Sequence, residues 1–389
     1  MTNYAKLGKK QQAIVAIVRC EKYDPELVYE AVGQGLSLLG GIEQFASEGE
    51  KILLKPNLLT GVEANEYVTT HPVVFEAVAR HFMETEAKVS FGDSPAFGST
   101  KNVAKKAGLL EVAEELGLET ADFSKGRKVS FHEGKLIKQF ELAEAVLDCD
   151  GLITLPKFKT HALTRMTAAI KNQFGCIPGA LKAEFHSKMT DVTSFSKMLI
   201  DLNRCIQPRL CIIDGIIAME GNGPRNGTPR QMNVLIFSTD MAAADAVVSR
   251  MMNMDPKEVT LLRWAQIWEL GETENIEILG EPLDSFIAED FEVLHESATS
   301  NSRQEWMTKI FRQWVTPRPV INPEKCTKCG TCVRVCPAQP EKALSFKDGD
   351  RSQFPQYDYS LCIRCYCCQE LCPDKAITVK VPMLGKLLH

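Results

Sequence analysis

Eight of the fourteen cysteines fall into two copies of one spacing. Cys326, Cys329, Cys332 and Cys336 read C-x2-C-x2-C-x3-C and precede Pro337; Cys362, Cys365, Cys368 and Cys372 repeat the run and precede Pro373. Thiolates at this spacing are the ligand pattern of [4Fe–4S] clusters, whose chemistry is one-electron transfer. Three thiolates two residues apart on a looped backbone reach three corners of one cubane, and the fourth cysteine of each run ligates the other cluster. The spacing therefore predicts one cluster on Cys326, Cys329, Cys332 and Cys372, and a second on Cys362, Cys365, Cys368 and Cys336. Cys367 stands outside the pattern and reads as a non-ligand thiol, with competition for a cluster position as the alternative. Structural zinc competes for C-x2-C pairs, but the short interval between pairs, the Cys-Pro endings and the repetition count against it.

Polar residues just after apolar runs form a second set with chemical potential. They are Lys55 and Asn57, Asp93 and Ser94, Lys157, Lys159 and His161, with Asp214 further on. Thr70 and His71 precede Pro72, a residue suited to the first helical position, where free N–H groups favour an anion. Lys171 and Asn172, then Lys182 and His186, follow in a Gly-containing stretch, and Asp245 interrupts an otherwise apolar helix. The lysines point to a carboxylate or phosphate held by charge-assisted hydrogen bonds. His161 or His186 would supply a proton, and Asp93 would orient the ligand or bind a cation. The bland alternative for each is a solvated strand end or a helix cap.

These residues need a scaffold, and the chain supplies one. Its 389 residues, 44% hydrophobic, suit two or three domains. Ala13–Arg19, Lys51–Pro56, Lys88–Gly92, Ala145–Leu155, Arg209–Ile217 and Asn233–Ser238 read as buried strands. Pro25–Phe45, Pro72–Glu84, Thr100–Leu116, Ala242–Met252 and Lys257–Gly271 have helical periodicity. Alternating apolar strands and helices predict an α/β domain over 1–295, a largely parallel sheet flanked by helices. In such a sheet, ligands sit outside the carboxyl ends of the strands, which is where the polar set falls. Residues 296–318 read as a linker with an amphipathic helix (Trp306, Ile310, Phe311, Trp314), and 319–389 as a small α+β ferredoxin-type domain. A surface loop is expected around Lys347–Tyr357.

Nucleotide signatures are missing. There is no G-x-x-x-x-G-K-[ST], and Gly221-Asn-Gly-Pro-Arg-Asn-Gly227 lacks the G-x-G-x-x-G spacing. The net charge of −5 is too mild for a general nucleic-acid binder. Residues 321–389 hold 10 Lys/Arg against 7 Asp/Glu, so the cysteine-rich end is the basic one. No apolar run approaches the roughly 18 residues of a membrane span, and the polar start of the chain carries no secretory signal. The expectation is a cytoplasmic protein. Cys20, Cys149, Cys176, Cys205 and Cys211 lie among apolar neighbours as buried free thiols.

Residues 318–381 resemble the two-cluster bacterial ferredoxins. Leu-Leu-Lys-Pro-Asn (53–57), Thr-Thr-His-Pro (69–72), Gly-Asp-Ser-Pro (92–95), Leu-Pro-Lys-Phe-Lys-Thr-His (155–161) and Ile-Lys-Asn-Gln-Phe-Gly (170–175) resemble the family catalogued as domain of unknown function 362. The resemblance spans about residues 13–272. It implies that these pieces belong to one domain and that the ferredoxin pairing is habitual; it implies no particular activity. Two functions follow as expectations. In the first, an iron–sulfur oxidoreductase relays electrons from a redox partner protein through two [4Fe–4S] clusters to or from an anionic ligand or cofactor in the α/β crevice, in an anaerobic setting. In the second, a non-enzymatic ferredoxin-type carrier docks a partner or handles a metal or cofactor with its large domain.

Overall fold

The structure, a computed structural model, describes residues 12–293 and 316–382. The first segment begins with β1 (Ala13–Arg19), α1 (Pro25–Leu38), β2 (Lys51–Pro56), α2 (Pro72–Met83) and β3 (Lys88–Phe91). The helices α3 (Thr100–Lys106) and α4 (Leu109–Glu115) lead to β4 (Glu119–Thr120) and a hairpin of β5 (Gly126–Ser130) and β6 (Gln139–Ala143). Then come α5 (Glu144–Asp148), β7 (Gly151–Leu155), β8 (Lys157–His161), β9 (Arg165–Thr167), α6 (Ala169–Asn172), α7 (Gly179–Lys188) and α8 (Val192–Ile206). The long strands β10 (Leu210–Glu220) and β11 (Thr228–Ser238) precede α9 (Met241–Met251), α10 (Thr260–Ile267) and β12 (Ile276–Gly280).

One sheet organises this domain, in the order β12-β1-β11-β10-β7-β2-β3-β4. Along that path β11 alone runs antiparallel to its neighbours. The expected largely parallel α/β fold is thus the fold observed. Both faces are covered, so the central strands are largely apolar. In β1, Val15 and Ile17 pack with α8, α9 and α10 on one side. Ala16 and Val18 pack with α1, α2 and α4 on the other.

Local chemistry moved several element ends. The helix expected over Pro25–Phe45 stops at Leu38, because Gly40 and Gly41 both take positive φ, a conformation that glycine adopts without strain. The helix expected over Thr100–Leu116 breaks into α3 and α4 at Gly108 (φ 79°). Ala145–Leu155, expected as one strand, is the turn of helix α5 and then β7, divided by the polar step Asp148-Cys149-Asp150.

Strands β7 and β8 run parallel to β10 one after the other, with Pro156 between them. This arrangement continues the buried run beyond Leu155, so Lys157–His161 is an interior strand and not a solvated edge. The expected linker helix lies outside the described residues. The small domain starts with a strand at Arg318–Ile321, paired antiparallel with Ile377–Lys380. Among the described residues no helix is long and apolar enough to cross a membrane.

Candidate functional site

The two cysteine runs share a backbone signature. Left-handed residues stand two and four positions after the first cysteine of each run: Lys328 and Gly330 (φ 61° and 74°), Arg364 and Tyr366 (φ 61° and 62°). These reversals curl each run inward. Cys326, Cys329, Cys332 and Cys372 line one small cavity. Cys336, Cys362, Cys365 and Cys368 line another. Each cavity thus takes its fourth thiol from the other run. The donor set is all sulfur, and the sulfurs have hydrogen-bond neighbours: Ala376 N–H donates to Cys372 Sγ at 3.3 Å, and the Tyr357 hydroxyl lies 3.2 Å from Cys368 Sγ. Soft thiolates with such outer contacts fit iron–sulfur clusters. Cys329 is exposed, whereas Cys332, Cys368 and Cys372 are buried.

Cys367, within hydrogen-bond reach of Cys365, belongs to neither small cavity. With Glu370, Leu371 and Val335 it lines a larger cavity, about 370 Å³, between the ferredoxin domain and the α/β domain. The opposite wall holds Asn57, Asp93, Ser94, Lys159, Lys171 and His186, and Lys182 joins them. The carboxyl ends of β2 and β3 therefore do converge on a crevice, and the ferredoxin domain forms its other side.

The Gly-rich stretch 221–227, which has no nucleotide spacing, fastens that side. Gln369 Nε2 donates to Asn222 O (2.9 Å) and Gly223 O (3.3 Å), and Asn226 Nδ2 donates back to Gln369 O at 2.8 Å. Gly223 is required here, since a Cβ would meet Thr160 O at 2.3 Å. Lys375 pairs with Glu66 at 3.0 Å. His161 Nε2 lies 2.9 Å from Glu370 Oε1. Its Nδ1 accepts from Leu163 and Thr164 N–H, so the ring's proton sits on Nε2 and faces Glu370. Burial, with Lys171 adding, lowers His161 to about 4, leaving it neutral at pH 7. Burial raises Glu370, but His161, Lys171 and His186 outweigh it and hold the carboxyl at about 2.

The lysines expected to hold an anion have mostly internal partners. Lys55 pairs with Asp93 at 2.8 Å, both buried. Gly175 permits this, because a Cβ there would lie 1.9 Å from Asp93 Oδ1. Lys157 pairs with Asp214 at 2.8 Å, its register partner across β8 and β10, and donates to Tyr23 Oη at 2.6 Å. Tyr23 in turn donates to Asp214 at 2.8 Å and stacks on His71 at 3.6 Å. Lys159 donates to Asn57 Oδ1 (2.7 Å) and Val68 O (2.6 Å). Burial, aided by Lys171 and Lys157, pushes it well below the usual lysine value.

Thr70, His71 and Lys157 do not line the cavity. Thr70 bridges Asn57 N–H (2.8 Å) and Leu155 O (2.5 Å), and His71 caps α2 through Val73 N–H. Asn172 is fixed by Thr154 and Lys55 O. Asp245, raised to about 7 by burial, accepts from Ala169 N–H (2.6 Å) and Ile170 N–H (3.1 Å). It thereby anchors α6, which presents Lys171 and Asn172. The Lys171 ammonium has no hydrogen bond or ion pair among the described residues. The sequence reading did not single out Glu370 or Tyr23. Glu370 is masked by its place inside a cysteine motif, although a carboxylate among cluster ligands was an available signal.

An α/β sheet domain with a docked iron–sulfur ferredoxin module is the class these features define. Residues 318–373 match the family described as 4Fe-4S dicluster domain. Residues 52–250 match Domain of unknown function (DUF362), and the chain belongs to that family. It is 37% identical over 246 residues, 63% of this chain and 76% of the other, to the Thylakoid-associated protein sll1697 of Synechocystis sp.. Its cysteine-rich end is 38% identical over 65 residues (17% of this chain, 69% of the other) to Pyruvate synthase subunit PorD of Methanocaldococcus jannaschii. A solved lactate racemase apoprotein from Thermoanaerobacterium thermosaccharolyticum is similar at a TM-score of 0.39 and 10% identity, over 62% of this chain and 57% of that one. The chain is an iron–sulfur electron carrier in its ferredoxin part.

Proposed function

We propose that the chain is an iron–sulfur oxidoreductase whose ferredoxin domain exchanges electrons with a small anion held in the interdomain cavity. One observation carries this reading: the helical turn Cys367–Glu370 serves both sites. Cys368 lines the small thiol cavity while Cys367 and Glu370 line the large one, opposite Lys171. Held by the two thiol quartets, [4Fe–4S] clusters supply one-electron transfer. Cys329 is exposed, which would leave the other quartet open to a redox partner protein. The likeness to a pyruvate synthase subunit supports such a partner. Lys171 attracts the anion, His186 meets it from α7, and the docked ferredoxin walls off solvent.

Anaerobically reduced protein, mixed with low-mass anions from its own organism, tests this. Wild type is expected to reoxidise, followed by visible absorbance, at least roughly tenfold faster than Lys171→Met, the worth of one charge-assisted contact. Equal rates in the two proteins would overturn the assignment of the cavity.

A further inference from the structure

Most polar groups around the cavity are already spent. Lys182 has three protons and three acceptors: Ser94 O, Ser94 Oγ and Pro95 O. Asp93 takes Lys55 and Leu58 N–H. Asn57 and Asn172 bond each other, Lys159 and Thr154. Three of the lining side chains carry polar atoms that no hydrogen bond reaches among the described residues. The Lys171 ammonium has no hydrogen bond or ion pair. His186, only 7% exposed, has no hydrogen bond to either ring nitrogen, and Nδ1 is fully buried. Its ring is clamped against Phe195 (4.8 Å, 15°) and Phe174 (5.5 Å, 83°). Glu370 spends one oxygen on His161 and its second on no hydrogen bond.

The side chains of His186 and Glu370 are buried, and buried valences are unfavourable until a ligand meets them; Lys171 is half-buried beside them. Two can donate to an anion and one can only accept. We propose that Lys171, His186 and Glu370 form a recognition site for a small carboxylate with a hydroxyl on the neighbouring carbon. The two carboxylate oxygens take the Lys171 ammonium and a His186 N–H; the hydroxyl donates to the free oxygen of Glu370. A phosphate dianion fits less well, because it would set more negative charge against Glu370 with one unspent ammonium to offset it. A volume of about 370 Å³ suits a small ligand. This site rests on the anion reading above and specifies its ligand.

Calorimetric titration of the cluster-loaded protein under anaerobic conditions tests it, with 2-hydroxypropionate, propionate and inorganic phosphate as probes. The iron content of each variant checks that it is folded and loaded. The expected result is that 2-hydroxypropionate binds about tenfold or more tighter than propionate, the value of one hydrogen bond to a charged group. Lys171→Met weakens both acids, and Glu370→Gln narrows the gap between them. Equal affinity for the two acids in wild type, or tighter binding of phosphate, overturns the hydroxyl-acid site while leaving the anion reading intact. Failure of all three probes to bind, or binding indifferent to Lys171→Met, overturns both.

Discussion

His161 Nε2 and Glu370 Oε1, 2.9 Å apart, join the end of β8 to the helical turn that carries Cys368. Both side chains are at least nine-tenths buried, so the contact acts in a low-dielectric seam. Replacing His161 by Leu leaves a buried carboxylate short of a partner, which costs about 1–3 kcal/mol. Amide exchange over 366–372 should accelerate in that variant while exchange in β1 and β11 stays at the wild-type rate.

The Lys157–Asp214 pair has a stronger structural role. Asp214 also accepts from Tyr23 and from His71 N–H. Asp214→Ala therefore strands a buried lysine and two donors, and should lower unfolding stability by about 3–5 kcal/mol. Lys157→Met with Asp214→Leu together should lose clearly less. Urea denaturation of both variants measures the difference.

His186 gives the stability a pH dependence. Burial lowers it from 6.5 to about 4. The unfolded chain therefore binds this proton first, and stability is lost as pH falls from about 6.5 toward 4. His186→Phe keeps the packing on Phe195 and removes the proton site. Relative to the variant, wild type should lose about 2 kcal/mol between pH 7.5 and 5. Asp245, raised to about 7, works in the opposite sense in both proteins, so the comparison between them isolates the histidine.

The crossed thiol quartets predict crossed damage. Cys372→Ser should disturb the cluster of Cys326, Cys329 and Cys332, and Cys336→Ser the other, each releasing up to about four of eight irons. Cys367→Ala should keep the full iron content. Iron analysis with electron paramagnetic resonance distinguishes the two clusters.

Much of this was legible in the residues. The runs Ala13–Arg19 and Lys51–Pro56 declared themselves as strands by their apolar, β-branched character, and the cysteine spacing foreshadowed the quartets. Asn57, Asp93 and Ser94 line the cavity because chain direction fixes where parallel strands end. Partnership was hidden. Lys157 looks like an anion binder until the register with β10 sets it opposite Asp214. Lys159 looks equally free until Asn57 and Val68 O claim it. Glu370 and the stretch 221–227 could be understood only from contacts between residues more than 140 positions apart.

Through the turn Cys367–Glu370 the large cavity adjoins the thiol quartet of Cys336, Cys362, Cys365 and Cys368, so charge in the cavity should act on a cluster held there. A redox titration of wild type and Lys171→Met, resolved by electron paramagnetic resonance, tests it most directly. Removing one positive charge across the cavity should lower the potential of that cluster by some tens of millivolts and leave the Cys326–Cys372 cluster where it was. A shift confined to the Cys326–Cys372 cluster, or no shift in either, would contradict the account.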